Sequence, residues 1–166
     1  MSLHWGIAAR NLLIVFNFFL LLAGYIINMN TSYNVNDCLL IDIPSYSDDR
    51  GTISVLDKEL PFDVKRIFWL HAIAKGKDRG AHALLDSNEI MVAIHGSYIV
   101  DLDDSENKIS ILLDSPVMGL IIRPGIWFRT HSYKDDGVSL ILAEEEYDHD
   151  KYLYDYEEFK RLRNSK

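Results

Sequence analysis

From Asn34 onward the chain is written in short apolar runs, each closed by a turn signal, and few folds accept that pattern. Residues 38–43 (CLLIDI) are a first expected strand, stopped by Pro44. Ser47-Asp48-Asp49-Arg50-Gly51 reads as a turn, and 52–56 as a second strand. Residues 65–73 (KRIFWLHAI), rich in β-branched and aromatic side chains, read as a third. A polar loop at 74–78 leads into a strand around His82. Residues 89–94 and 97–102 are expected to pair as a hairpin across His95-Gly96, where glycine permits positive φ. Further strands are expected at 108–113, at 119–123 before Pro124-Gly125, and at 138–144. Over 150–163 the period changes, and tyrosine, leucine and phenylalanine at helical spacing predict a helix packed on the sheets. About ten short strands and one terminal helix describe a single jelly roll.

Composition narrows the class further. At 166 residues and 48% hydrophobic, the chain can bury one ordinary core. A formal net charge of -8 argues against nucleic-acid binding, which needs a positive face to displace counterions. Cys38 is the single cysteine, so nothing calls for an oxidising compartment, and it reads as a small apolar filler. The expected location is cytoplasmic. Residues 1–28 stand apart as an apolar leader, and 29–166 as the folded domain. Within the leader, 12–27 (LLIVFNFFLLLAGYII) carries no charge and follows Arg10. Three readings stay open: a membrane anchor, a signal peptide, or upstream sequence before an initiator at Met29. The clean start of an acidic domain after Met29 favours the third; contact with a membrane is expected only if 1–28 is real.

The segment Arg79-Gly80-Ala81-His82-Ala83-Leu84, followed by Glu89 and Gly96, resembles the first cupin motif, G-x-H-x-H-x4-E-x6-G. Side chains alternate along a strand, so His82 and position 84 face the same way. In a metal-binding cupin, two histidines at those places join the motif glutamate and a third histidine beyond a Pro-Gly turn. Here the second position is Leu84, and Phe128 stands where Pro124-Gly125-Ile126-Trp127 would supply the third. Stable transition-metal sites take three or four ligands, and two remain. The expectation is a pocket with no metal and no other cofactor, in which His82 does acid/base work. Glu89 either orients His82 or is a strand-end carboxylate.

Other residues join as candidates with plainer alternatives beside them. His131, shortly after the Pro-Gly turn, either faces the same cavity or sits in a solvated loop. Arg50, Lys65, Arg66, Arg79, Arg123 and Arg129 recur near the expected pocket. A guanidinium fork suits a diphosphate, although each residue alone reads equally as a surface charge. Phe68, Trp69, Trp127 and Phe128 are stacking surfaces or core.

Taken in order, several segments resemble the sugar-nucleotide 3,4-ketoisomerases of the cupin superfamily, the WxcM-like proteins. They are Asp49-Arg50-Gly51, Pro61-Phe62-Asp63-Val64-Lys65-Arg66, Arg79-Gly80-Ala81-His82-Ala83, His95-Gly96-Ser97, Gly119-Leu120, Pro124-Gly125-Ile126-Trp127, Leu142-Ala143, Tyr147-Asp148, Tyr152 and Tyr156-Glu157-Glu158-Phe159. The resemblance implies an all-β cupin jelly roll (a double-stranded β-helix) with a short C-terminal helix, forming a homodimer. It implies action on a dTDP-linked keto sugar, dTDP-4-keto-6-deoxyglucose, with the keto group moved from C4 to C3 through an enediol. On that reading His82, Glu89 and His131 are the catalytic candidates, and Arg79, Arg66, Arg123 and Trp127 bind substrate. The chain departs from the family pattern at Leu84 and at Phe68-Trp69, where a second histidine and a tyrosine usually stand. The alternative is therefore a catalytically impaired module that binds a sugar nucleotide or docks a partner.

Overall fold

The computed structural model describes residues 33–57 and 60–165, so the apolar leader and Met29 lie outside the described residues. After a 3-10 turn at Val35–Asp37 come β1 (Leu40–Asp42), β2 (Ser45–Asp48), β3 (Gly51–Ser54), β4 (Arg66–Leu70) and β5 (Arg79–Leu84). Then follow β6 (Glu89–Asp103), β7 (Lys108–Leu113), β8 (Met118–Ile122), β9 (Trp127–Ala143), β10 (Tyr152–Leu153) and α1 (Tyr156–Arg163).

Two long strands organise the rest. The first half of β6 pairs with β8 (Glu89↔Ile122) and with the end of β9 (Glu89↔Ala143). Its second half pairs with β7 (Tyr98↔Leu113) and with the start of β9 (Asp103↔Trp127). One layer is therefore β1-β8-β6-β9-β4 and the other β7-β6-β9-β5-β10, with β6 and β9 bending from one to the other. The result is the expected jelly roll. β2 and β3 form a separate exposed ribbon.

The bend corrects one expectation. Residues 89–94 and 97–102 are not a hairpin but a single strand with irregular register between Ala93 and Ile99. Gly96 has φ +60°, yet the chain does not reverse there. A Cβ on Gly96 would lie 2.3 Å from the Lys134 carbonyl oxygen and 2.7 Å from that of Asp135. The glycine admits a close approach of β9 rather than a turn.

Alternation along these strands places the core between the layers. Met91, Ala93, Tyr98, Val100, Leu102, Leu120, Ile122, Phe128 and Ile141 point inward and pack together. The opposite face of the first layer is also apolar: Ile90, Val92, Ile121 and Leu142 lie under Leu56, Leu60, Phe62 and Val64. On the same side of β4, Ile67 and Trp69 remain 58% exposed.

The tail is shorter in helix than its period predicts. Residues His149–Lys151 form a 3-10 turn, and β10 adds to the edge of β5 through Tyr152↔Leu84. The helix begins where Asp155 caps it, its carboxylate accepting from the Glu157 and Glu158 amides. Phe159 and Leu162 pack on Ala83, Leu85 and Leu153, each side chain contributing about 1.5–3 kcal/mol. Among the described residues no helix is long and apolar enough to cross a membrane.

Candidate active site

A backbone irregularity in β5 aims its histidine inward. Gly80 (φ +80°) and Ala81 (φ +59°) both adopt left-handed conformations, and the register against β9 shifts between Gly80 and His82. A Cβ on Gly80 would meet the Phe128 carbonyl oxygen at 3.2 Å, so this approach of β5 to β9 favours glycine. Beyond the bulge His82 faces Phe128, the ring centroids 4.6 Å apart. Its ring also lies 4.9 Å from that of Tyr152.

His82 borders a cavity of about 400 Å³ between the layers, walled also by Arg66, Phe68, Leu70, Arg79, Gly80, Glu89, Met91, Phe128, Thr130, Ile141, Tyr147 and Tyr152. That volume lies within the range of small-molecule sites, about 300–1,000 Å³. The wall is largely apolar, with a few convergent polar groups. His82 Nε2 is buried and has no hydrogen-bond partner among the described residues. Burial, opposed by the Gly80 backbone and assisted by the Arg66 charge, lowers the imidazole pKa to about 4. The ring is thus neutral at neutral pH, with Nε2 unengaged by any described residue and the side chain at the cavity wall.

Glu89 enters from the first residue of β6 and is 1% exposed. Arg66 Nη2 approaches its Oε1 at 3.3 Å and donates to the Tyr152 hydroxyl at 2.7 Å. The same guanidinium sits over the Phe68 ring at 4.7 Å. Desolvation outweighs the Arg66 charge and raises the Glu89 pKa to about 7. Burial likewise raises that of Tyr152. Arg79 heads β5 at the rim, where it is exposed and makes no ion pair with a described residue.

Four of the seven residues expected from sequence therefore meet: His82, Glu89, Arg66 and Arg79. The other three do not, and alternation in β9 is the main reason. Phe128 and Thr130 point inward, so Trp127, Arg129 and His131 point outward. His131 is in a strand rather than a loop, with Nε2 3.1 Å from the Asp101 carboxylate and poorly aligned for a hydrogen bond. Its Nδ1 pairs with Ser132 Oγ. Trp127 packs edge-on against Tyr156, beneath α1. Arg123 ties the N-terminal segment down, donating to the Asp37 carbonyl and to Asn88 Oδ1. Of the other cations considered, Arg50 pairs with Asp48, Lys65 with Glu145, and Arg129 with Asp78 and Asp101.

Tyr147 and Tyr152 are cavity residues that received no role from sequence. The signal for both was their place in the matched segments, masked for Tyr152 by the helical spacing over 150–163. Leu84 faces the same interior as His82 but is 2% exposed within the core cluster. With Leu84 and Phe128 at two of the metal-ligand positions, the residues present do not fit a cupin metal. Among the described residues no group of three or more His, Cys, Asp or Glu side chains is arranged to hold one.

Comparison with known proteins gives a consistent set. Residues 36–164 match the family model described as FdtA, WxcM-like, C-terminal. A TDP-4-oxo-6-deoxy-alpha-D-glucose-3,4-oxoisomerase of Aneurinibacillus thermoaerophilus is 32% identical over 124 residues, 74% of this chain and 89% of the relative. A 3,4-ketoisomerase from Helicobacter canadensis superposes with a TM-score of 0.75 at 31% identity, over 78% of this chain and 98% of its own. The sugar 3,4-ketoisomerase QdtA of Thermoanaerobacterium thermosaccharolyticum, solved with TDP, gives 0.75 at 25% identity, over 77% and 95%.

Proposed function

The chain belongs to the WxcM-like family, and from that membership we propose that it is a sugar-nucleotide 3,4-ketoisomerase. Its substrate is a TDP-linked 4-keto-6-deoxyhexose, and the reaction moves the carbonyl from C4 to C3. The observation that carries this reading is His82, with a buried and unpartnered Nε2, in the wall of a cavity of about 400 Å³ that Arg79, which forms no ion pair with a described residue, also lines.

The C4 ketone acidifies the hydrogen on C3. Its removal gives an enediolate, and a proton delivered at C4 leaves the ketone on C3. No electron enters or leaves the substrate. A neutral imidazole suits the exchange, because its unengaged nitrogen can take a hydroxyl proton and hand it on while the other stays bonded to the Gly80 backbone. The largely apolar wall limits water around the enediolate and strengthens each charge interaction within the site. Arg79, exposed and lining the cavity, is the residue we assign to the diphosphate, which its guanidinium fork suits.

The family's relatives support the substrate class, and two further assignments accompany it. The exposed side of the first layer, with Ile67 and Trp69 at its centre, is the face we assign to a homodimer. The domain works in the cytoplasm, a location compatible with its free, buried Cys38.

The test is incubation with TDP-4-keto-6-deoxyglucose, followed by NMR for the 3-keto isomer, beside His82→Asn. Turnover lost in the variant supports the assignment. TDP bound without turnover identifies a binding module in which Leu84 has removed the reaction.

A further inference from the structure

We infer that Glu89 is the group that takes the carbon-bound proton, removing it from C3 and returning it at C4, while His82 carries the hydroxyl proton between O3 and O4. This rests on the ketoisomerase reading. With Leu84 in place of a second imidazole, the interior holds one histidine where the frame has two. The isomerisation moves two protons, one on carbon and one on oxygen. Glu89 is the carboxyl group among the cavity-lining residues.

Its setting is unusual for a structural ion pair. Glu89 begins a central strand, hydrogen-bonded between β8 and β9, and is 1% exposed beside Met91, Phe68 and Ile141. Burying a carboxylate against an apolar wall is expensive, and a pair that merely held the fold together would be expected to be tightly neutralised. Here the link to Arg66 is one 3.3 Å contact, and the same nitrogen also serves the Tyr152 hydroxyl at 2.7 Å. The carboxyl group is left poised between its two forms near neutral pH, as a group that both accepts and returns a proton must be.

The step balances. The C3–H bond breaks, its electron pair forms the C3–C4 double bond, the carbonyl pair moves to O4, and Glu89 holds the proton. The O3 proton passes through His82 to O4. The double-bond pair then takes the Glu89 proton at C4 as O3 becomes the carbonyl oxygen. C3 is oxidised and C4 reduced by the same two electrons.

The experiment follows deuterium entry from D2O into the sugar of TDP-4-keto-6-deoxyglucose by NMR, for wild type, Glu89→Gln, Glu89→Asp and His82→Asn, with TDP affinity measured calorimetrically. Glu89→Gln is expected to lower exchange at C3 by about 10²–10⁴-fold while TDP affinity is retained. Glu89→Asp should keep part of the rate, and His82→Asn should slow isomerisation more than exchange. Wild-type exchange should rise with pH through about 7. Exchange in Glu89→Gln at the wild-type rate overturns the inference and leaves the ketoisomerase reading standing, as does a flat wild-type profile across that pH range. A wild type that binds TDP but neither isomerises nor exchanges overturns the ketoisomerase reading itself.

Discussion

Arg66 Nη2 donates to the hydroxyl of Tyr152 at 2.7 Å, and this bond competes with the one it makes to Glu89 at 3.3 Å. Changing either side of that competition moves the Glu89 titration in opposite directions. Arg66→Ala removes the positive charge, so the activity limb expected at about pH 7 should move upward. Tyr152→Phe frees Arg66 for Glu89 and should move it downward. Arg66→Ala should also destabilise by about 1–3 kcal/mol through the lost hydrogen bonds, less than for a stranded buried charge, because Glu89 can take up a proton. pH–rate profiles and urea melts read both effects.

Leu84→His would return an imidazole to the same face as His82. Leu84 is 2% exposed in the core cluster, so the substitution should destabilise by about 1–3 kcal/mol through burial of a polar ring. It should also restore at least tenfold activity to the Glu89→Gln protein by supplying a second base. Kinetics of the double variant check this, and a double variant as slow as Glu89→Gln alone would count against it.

His82 makes stability depend on acid in a definite sense. Its folded pKa of about 4 lies below the ordinary 6.5, so the unfolded chain binds the extra proton between those values. Stability contributed by the neutral ring is complete above about pH 6.5 and falls as pH drops toward 4. The loss is on the order of 3 kcal/mol at most. Thermal unfolding at pH 7, 5.5 and 4.5 should show a steeper decline for wild type than for His82→Asn.

Arg79 and Arg123 are both arginines near strand ends, yet they should behave differently. Arg79→Ala should weaken TDP binding by about tenfold or more, the loss of a charge-assisted hydrogen bond, with little change in melting temperature. Arg123→Ala should leave TDP affinity within about twofold and lower stability by about 1–3 kcal/mol, because its bonds go to Asp37 and Asn88. Calorimetry and thermal melts separate the two.

Trp69 tests the assigned dimer face. Trp69→Asp puts a charge at the centre of an apolar patch without touching the cavity side of β4, where Arg66, Phe68 and Leu70 lie. Sedimentation should show wild type as a dimer and the variant shifted toward monomer. A wild-type monomer at micromolar concentration would remove the assignment.

Much of this molecule was legible in the sequence, because strand alternation and turn residues are local signals. The strands around residues 66–70, 108–113 and 118–122 lie close to where their apolar runs put them. Bends were harder to read. His95-Gly96 has the composition of a turn, and the nearby β9 backbone that it accommodates is remote in sequence. The inward or outward facing of Trp127, Arg129 and His131 depends on parity relative to Phe128, which the Pro-Gly turn alone does not set. Tyr152 was read into a helix, although pairing with the edge of β5 and the cap at Asp155 delay the helix to Tyr156. His82, Glu89 and Arg79 line one cavity, as the shared motif frame suggests, whereas Arg66 was only one of several recurring cations in the sequence.

The irregular crossing between Ala93 and Ile99 acts as a counting device for the interior. Remove one residue there and every position downstream in β6 exchanges sides: Tyr98, Val100 and Leu102 would turn to water, and Ile99 and Asp101 would enter the barrel. Glu89, upstream of the bend, would keep its place while Tyr98, Val100 and Leu102 left the core beyond it. The chamber thus tolerates changes of side chain around this corner far better than changes of length.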